Sequence, residues 1–176
     1  WRHQPTVAFW YVLRALQVVV VLQVAFGSIL LLTGRSAPSG LHYLYGVSIL
    51  AVSKTQPPEA VRAAYALGQR AFGENYVQEA LDKIGALETP GIEWHLIGPL
   101  QGNKARAAAA HFAWVQSVDR LAIAQRLSAA RDPARGALNV CVQVNISAEP
   151  SKSGCAPVQA LDLARAVARL PGLAFR

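Results

Sequence analysis

Hydrophobic and polar positions divide the chain into two parts. Residues 7–32 are almost continuously apolar, whereas from residue 47 onward short apolar runs alternate with amphipathic stretches. A short continuous apolar run predicts a strand buried on both faces, and apolar residues at helical spacing predict a helix. The predicted strands are 47–52, 70–73, 92–97, 113–118, 138–145 and 173–175, and the predicted helices are 57–67, 75–87, 103–110, 119–127 and 158–170. This alternation predicts an α/β fold with a parallel sheet or barrel.

Local sequence signals predict where the helices begin and which faces they bury. Pro57 and Pro58, followed by Glu59, are typical of a first helical turn. Asn75, with Gln78 three residues later, predicts a capping box at the start of the second helix. The predicted buried faces are Ala60, Ala64 and Leu67 in the first helix, Val77, Leu81 and Ile84 in the second, and Leu161, Ala164 and Ala168 in the last.

The apolar run 7–32 has about the length needed to cross a bilayer core, roughly 20 residues. Trp10 and Tyr11 lie near one end, as interfacial aromatic residues do, and Arg14 is the only charged residue inside. We therefore predict a transmembrane helix and membrane association through this segment. A signal-like segment and a buried helix of a soluble protein are the alternatives.

Composition and charge narrow the function classes. The net charge of +7 comes from 17 Lys and Arg against 10 Asp and Glu, and residues 1–46 hold three Arg and no acid. Because the remaining basic residues are scattered, without a stripe of interleaved aromatic residues, we predict no nucleic-acid partner. Cys141 and Cys155 and the four His have no metal-ligand spacing, so we predict no metal site. Two unpaired cysteines favour a reducing compartment, the cytoplasm, for the globular part.

Polar residues follow the predicted strands where each strand ends. They are 53–55, 73–76, 98–104, 116–119 and 145–147, with His95 inside the third strand. Since the carboxyl ends of parallel strands meet at one rim, we expect a single polar mouth. Lys54 closes an apolar strand there. It is either a lysine that reaches solvent or an amine whose pKa is lowered by burial, able to attack a carbonyl and form a Schiff base.

A set of short motifs occurs in a fixed order along residues 47–176. The motifs are AVSKT at 51–55, FGENYVQE at 72–79, EWHLIGPLQGNK at 93–104, VDR at 118–120, NIS at 145–147 and KSG at 152–154. Together they resemble the pyridoxal-phosphate homeostasis protein family, which shares its barrel with the N-terminal domain of alanine racemase. The resemblance implies a partial (β/α)8 barrel of about five to six strands that holds pyridoxal 5'-phosphate.

The resemblance also implies which residues bind this cofactor. Lys54 matches the lysine that forms the Schiff base, and Asn75 and His95 would line the mouth near the ring. Asn145 and Ser147 would add hydrogen bonds at the end of the fifth strand, and no residue is assigned a catalytic role. The alternatives are a helix-capping role for Asn75 and a satisfied strand histidine for His95.

The function implied is that of a cofactor carrier without established catalysis, which binds pyridoxal phosphate, maintains its intracellular level and delivers it to apo-enzymes. One alternative is a pyridoxal-phosphate-dependent amino-acid racemase, which needs a second base from another domain. The other is a membrane protein in which the barrel fragment is incidental.

The resemblance covers only part of the chain, which suggests two domains. Residues 1–46 form a hydrophobic segment foreign to the family, and residues 47–176 form a barrel truncated at its C-terminal end. In the family, the residues around the cofactor phosphate lie in later strands. We therefore expect this chain by itself to hold the cofactor weakly or not at all.

Overall fold

The computed structural model describes residues 50–87 and 89–176, in which six strands alternate with five α-helices. The strands are β1 (Ala51–Val52), β2 (Ala71–Glu74), β3 (Glu93–Leu96), β4 (Trp114–Val118), β5 (Leu138–Val142) and β6 (Leu173–Phe175). The helices are α1 (Pro58–Ala66), α2 (Val77–Ala86), α3 (Ala105–His111), α4 (Leu121–Ala130) and α5 (Pro157–Val167), with 3₁₀ turns at Gly102–Lys104 and Pro133–Arg135. The predicted alternation is confirmed.

Two predictions lie outside the described residues. They are the transmembrane helix at 7–32 and the domain boundary between residues 46 and 47. The first half of the predicted strand 47–52 lies there too. Within the described part of the chain, no helix is both long enough and apolar enough to span a membrane.

The six strands form one parallel sheet in chain order, β1 to β6. One row of paired residues crosses the whole sheet. It comprises Val52, Gly73, His95, Trp114, Asn139 and Ala174. Because side chains alternate along a strand, members of this row lie on the same face of the sheet, which we call the inner face.

The opposite face of the sheet packs against the helices and forms the hydrophobic core. Its fully buried members are Phe72, Leu96, Val115, Leu138 and Val140 from the strands and Val61, Ala80, Ile123, Leu127 and Val167 from the helices. Burying each large aliphatic side chain contributes about 1.5–3 kcal/mol. The inner face is less covered, since Val52 is 51% exposed and Trp114 and Asn139 are half-buried. The prediction that the first strand is buried on both faces is therefore wrong at Val52.

The predicted helix faces are partly correct. In α2, Val77 is buried and Leu81 and Ile84 pack against the core, as predicted. In α1 the buried residue is Val61, while Ala60 is exposed. Leu67 is 91% exposed because it follows the last helical residue, next to Gly68 with φ 98°.

The predicted face of the last helix is wrong. Leu161 is 60% exposed and Ala168 is exposed, while Ala164 is half-buried. Leu163 and Val167, four residues apart, make the core contacts. The predicted and the observed apolar stripes both have helical spacing, so the sequence alone does not show which one faces the sheet.

Candidate functional site

Lys54 lies in a tight turn at the carboxyl end of β1. The N–H of Ser53 still donates to the carbonyl of Gly73 on β2, at 2.9 Å, and the N–H of Gln56 donates back to the carbonyl of Ser53, at 3.0 Å. Thr55 has φ 62°, a left-handed conformation that is rare for a β-branched residue. The Lys54 side chain is exposed, which agrees with the alternative of a lysine that reaches solvent and not with that of a buried amine.

A buried ionic cluster lies beside this turn, formed by Glu74, Glu79 and Lys83. Lys83 Nζ donates to Glu74 Oε1 at 2.8 Å and to Glu79 Oε1 at 2.9 Å. We call these three residues the Lys83 cluster. The side chains of Lys83 and Glu74 are 6% and 0% exposed, and that of Glu79 is 28% exposed. None of its three residues was predicted from the sequence to be a site residue.

The Lys83 cluster binds both neighbours of Lys54. On one side, Ser53 Oγ donates to Glu74 Oε1 at 2.5 Å, and the Ser53 carbonyl accepts from Lys83 Nζ at 2.6 Å. On the other side, the N–H of Thr55 donates to Glu79 Oε1 at 2.6 Å. Lys54 is therefore held between two anchored residues, while its own side chain remains exposed.

The charges of the Lys83 cluster stabilise one another. Burial lowers the pKa of Lys83, but its hydrogen bonds to Glu74 and Glu79 outweigh burial, so the pKa is raised overall. The hydrogen bond from Lys83 lowers the pKa of Glu79, against an opposing effect of burial. Lys83 and Glu79 are therefore both charged at neutral pH.

Asn75 follows β2 directly and lies against the next loop of the rim. A Cβ atom on Gly98 would collide with the backbone carbonyl of Asn75, so glycine at 98 allows the two loops to approach. The predicted capping box is wrong, because α2 has Tyr76 as its N-cap and no side-chain cap hydrogen bond. The Gln78 amide instead donates to Asp82 Oδ1 at 3.3 Å. The helix-capping role proposed as the alternative for Asn75 is therefore excluded.

His95 lies on the inner face, between Gly73 and Trp114 in the paired row. Its ring stacks on Trp114, with 5.4 Å between ring centroids and 7° between the planes. Gln116 Nε2 lies 3.1 Å from His95 Nδ1. Since an amide nitrogen only donates, this contact assigns the acceptor role to Nδ1 and the proton to Nε2.

The second ring nitrogen of His95 is different. Nε2 is buried and has no hydrogen-bond partner among the described residues. Burial lowers the pKa of His95, against a weaker opposing effect of Glu93, so the ring is neutral near pH 7. A buried donor without a partner is uncommon in a folded protein. The alternative of a strand histidine with both ring nitrogens hydrogen-bonded is therefore only half correct, since Nδ1 has a partner and Nε2 has none among the described residues.

Asn145 and Ser147 lie on the far side of β4, after β5. Asn145 Nδ2 donates to the carbonyls of Glu149 and Lys152, at 2.9 and 3.2 Å. Ser147 is exposed, and its hydroxyl donates to Glu149 Oε1 at 2.9 Å. Both side chains therefore hold their own loop, whereas the ends of β1, β2 and β3 bring Lys54, Asn75 and His95 onto neighbouring strands.

A cleft of about 360 Å³ opens on the same rim, beside Tyr76. It is lined by residues that follow β2, β3, β4 and β5, and its polar lining includes Gln78, Lys104 and Arg120. Arg120 is already paired with Asp119 at 2.7 Å. Lys54, Asn75 and His95 do not line this cleft, so the single polar mouth expected from the strand ends stays a prediction.

Strands in chain order, with polar residues at the carboxyl rim, place the chain in the class of βα-repeat proteins that carry their sites at this rim. Within that class, the sequence model described as "Alanine racemase, N-terminal domain" matches residues 41–176. The chain belongs to this family.

Curated relatives of the chain are named "Pyridoxal phosphate homeostasis protein". The protein of Pseudomonas aeruginosa PAO1 is 58% identical over 130 residues, which cover 74% of this chain and 56% of the relative. That of Escherichia coli K12 is 52% identical over 133 residues, covering 74% and 57%. The chain thus spans a little over half the length of these relatives. The predicted resemblance is confirmed.

Solved structures give the same result. PipY of Synechococcus elongatus PCC7942, solved without PLP, superposes with a TM-score of 0.67 and 42% identity, covering 72% of this chain and 60% of PipY. PipY with PLP bound gives a TM-score of 0.66 and 39% identity, covering 78% and 65%. The alanine racemase of Clostridium difficile 630, at 11% identity, TM-score 0.60, and coverage of 77% and 36%, shows likeness of fold alone.

Proposed function

We propose that the chain binds pyridoxal 5'-phosphate through Lys54 and belongs to a system of pyridoxal-phosphate homeostasis. The observation that carries the proposal is an exposed primary amine on a turn whose two flanking residues are fixed by hydrogen bonds. Lys54 would hold pyridoxal phosphate through its primary amine, and the cofactor would supply the aldehyde carbonyl with which that amine condenses, with loss of water.

The described residues fit the ring side of this cofactor. His95 is a neutral imidazole on the inner face, one strand beyond β2, and its Nε2–H is a buried donor without a partner among the described residues. Asn75 lies at the end of the strand between β1 and β3. In the proposed site, Lys54 holds the cofactor, and His95 and Asn75 orient its ring.

Asn145 and Ser147 have a smaller part in the proposed site. Both donor positions of the Asn145 amide are used within its loop, so it would offer its side-chain oxygen. The hydroxyl of Ser147 would have to leave Glu149 to reach a ligand.

We infer that the six strands are part of a (β/α)8 barrel. In the described residues, β1 and β6 are the edges of the sheet, and Val52 on the inner face is 51% exposed. Where the described residues leave the inner face this open, a ligand is accessible to water, so we expect the 176-residue chain to bind pyridoxal phosphate weakly. For the homeostasis system, we propose apo-enzymes as recipients and a carrier role without catalysis.

Titration of the chain with pyridoxal phosphate, followed by visible absorbance, tests this proposal. We expect a Schiff-base band that saturates only at cofactor concentrations well above that of the protein. The band should disappear in Lys54→Arg, which keeps the charge, and persist in Lys152→Arg, a matched change at an exposed loop lysine. Tight stoichiometric binding would contradict the predicted weakness. An equal band in Lys54→Arg would contradict the role of Lys54.

A further inference from the structure

We propose that the Lys83 cluster is a positioning device for Lys54, in which Glu79 holds the residue after Lys54 and Lys83 with Glu74 holds the residue before it. The inference rests on the proposed function, because it concerns how readily Lys54 combines with pyridoxal phosphate. Glu74, Glu79 and Lys83 are positioning residues and make no contact with the reacting amine in this account.

The first argument is the backbone of Thr55. A non-glycine residue in a sparsely populated conformation costs on the order of 1–3 kcal/mol and persists only where its surroundings hold it. Thr55 has φ 62°, and the contact that holds its N–H is the Glu79 carboxylate at 2.6 Å. A charged acceptor makes this hydrogen bond stronger than one to a neutral group. Glu79 thus compensates for the strain in the residue that follows Lys54.

The second argument is the way the cluster reaches both sides of the lysine. Lys83 Nζ connects Glu79 to Glu74 and also donates to the Ser53 carbonyl, at 2.6 Å. Ser53 is bonded directly to the Lys83 ammonium group, and Thr55 is bonded to Glu79, which accepts from the same ammonium group. A movement of either residue therefore disturbs Lys83. With its two flanking residues fixed, the Cα of Lys54 has little freedom, and its long side chain alone supplies the reach needed for reaction.

The third argument is the cost of the cluster. The Glu74 carboxylate and the Lys83 ammonium lie out of water, the Glu79 carboxylate is partly exposed, and Glu74 Oε2 has no partner among the described residues. Apolar residues of similar size commonly join a helix to a sheet with equal or greater stability. An ionic cluster differs from them in providing directional hydrogen bonds, which fix a backbone conformation. Here those bonds converge on the turn that carries Lys54.

The test uses Glu79→Ala and Glu79→Gln in the full chain. Glu79 is the suitable position because its side chain is 28% exposed, whereas removing Lys83 would leave the buried Glu74 carboxylate without its partner. Asp82→Asn is the matched control, since it removes an exposed acid from the same helix outside the cluster. Circular dichroism establishes that each variant is folded.

Two readouts are required. The first is the hydrogen exchange rate of the Thr55 amide without cofactor, which should rise at least about tenfold in Glu79→Ala and less in Glu79→Gln, whose amide oxygen still accepts. The second is the rate of the Lys54 reaction with pyridoxal phosphate, followed by absorbance, which should fall several-fold in Glu79→Ala. Asp82→Asn should match the original chain in both measurements.

The outcomes separate the two proposals. If the original chain gives no reaction at Lys54, the proposed function fails, and the positioning role fails with it. If the original chain reacts but Glu79→Ala reacts at the same rate, only the positioning role is overturned. An unchanged Thr55 exchange rate also overturns it. If Glu79→Ala does not fold, the intermediate effects expected of Glu79→Gln decide the question by the same criteria.

Discussion

At the residue scale, the environment of Lys54 depends more on its neighbours than on the lysine itself. The side chain is exposed, but Ser53 is bonded to the buried Glu74 carboxylate and Thr55 to the partly exposed Glu79 carboxylate. A lysine at the end of a strand usually reaches solvent with a mobile backbone. In this chain the backbone is fixed, while the amine remains accessible to an aldehyde.

The first prediction at this scale concerns acid pH. The pKa of Glu79 in the folded chain lies below its ordinary value of 4.5, so its contribution to stability is present above pH 4.5 and is lost as pH falls through the lowered pKa. The pKa of Lys83 is raised above 10.5, so its contribution is lost only as pH rises through that raised value. We expect protection of the Thr55 amide from exchange to fall below pH 4.5. Protection that is constant from neutral pH to pH 3 (roughly one and a half units below the ordinary Glu pKa) would contradict this.

A second prediction concerns His95. Burial lowers its pKa below 6.5, so the neutral ring is favoured by folding, and this contribution to stability is lost as pH falls from 6.5 through the lowered pKa. Long-range ¹H–¹⁵N NMR spectra should show a neutral ring at pH 7 with its proton on Nε2 (the tautomer expected when Nδ1 accepts from Gln116). A titration midpoint of His95 above pH 6.5 would contradict the lowered pKa. A proton on Nδ1 would contradict the hydrogen bond from Gln116.

The sequence suggests candidate residues for the site but not the groups that hold them in place. Lys54 and His95 were identified because strand ends and ordered motifs are local features. The Lys83 cluster was missed because its members belong to a strand and a helix, and the bond from Lys83 to the Ser53 carbonyl spans 30 residues. The spacing of Glu79 and Lys83, four apart on one helix, was the available signal, but such pairs are common on exposed surfaces.

At the element scale, strand and helix order was predictable and helix rotation was not. The β1 to β6 order follows from alternating apolar runs with helical spacing between them. The buried face of α5 was misassigned because Ala and Leu residues cover most of its circumference, so periodicity alone is ambiguous. In α2, where Gln78 and Asp82 are exposed, the predicted stripe was correct, although Lys83 is buried there as well.

A third prediction belongs to the contact between the loops after β2 and β3. Gly98→Ala should destabilise the chain by about 1–3 kcal/mol, because the new methyl group would collide with the Asn75 backbone. Gly85→Ala is the control, since that position on α2 has open space around it and Ala favours a helix by roughly 0.5–1 kcal/mol. Urea denaturation measures both. Equal effects of the two substitutions would contradict the proposed close approach.

At the scale of the whole molecule, the described residues cover one face of the sheet with a hydrophobic core and leave the other face partly open. The covered face contains residues that are fully buried among the helices, while the inner face carries His95 and the half-exposed Val52. The turn of Lys54 and the charged groups that support it lie entirely within residues 50–87. The same openness is the reason to expect weak binding by the chain alone.

The most direct test of the central claim is to locate the lysine that combines with pyridoxal phosphate. The 176-residue chain is incubated with excess cofactor, reduced with borohydride so that the C=N bond becomes a stable amine, and mapped by peptide mass spectrometry. We predict that the pyridoxyl group is found predominantly on Lys54, with little on the exposed Lys152. Equal labelling of the two lysines, or no labelling of Lys54, would contradict the account.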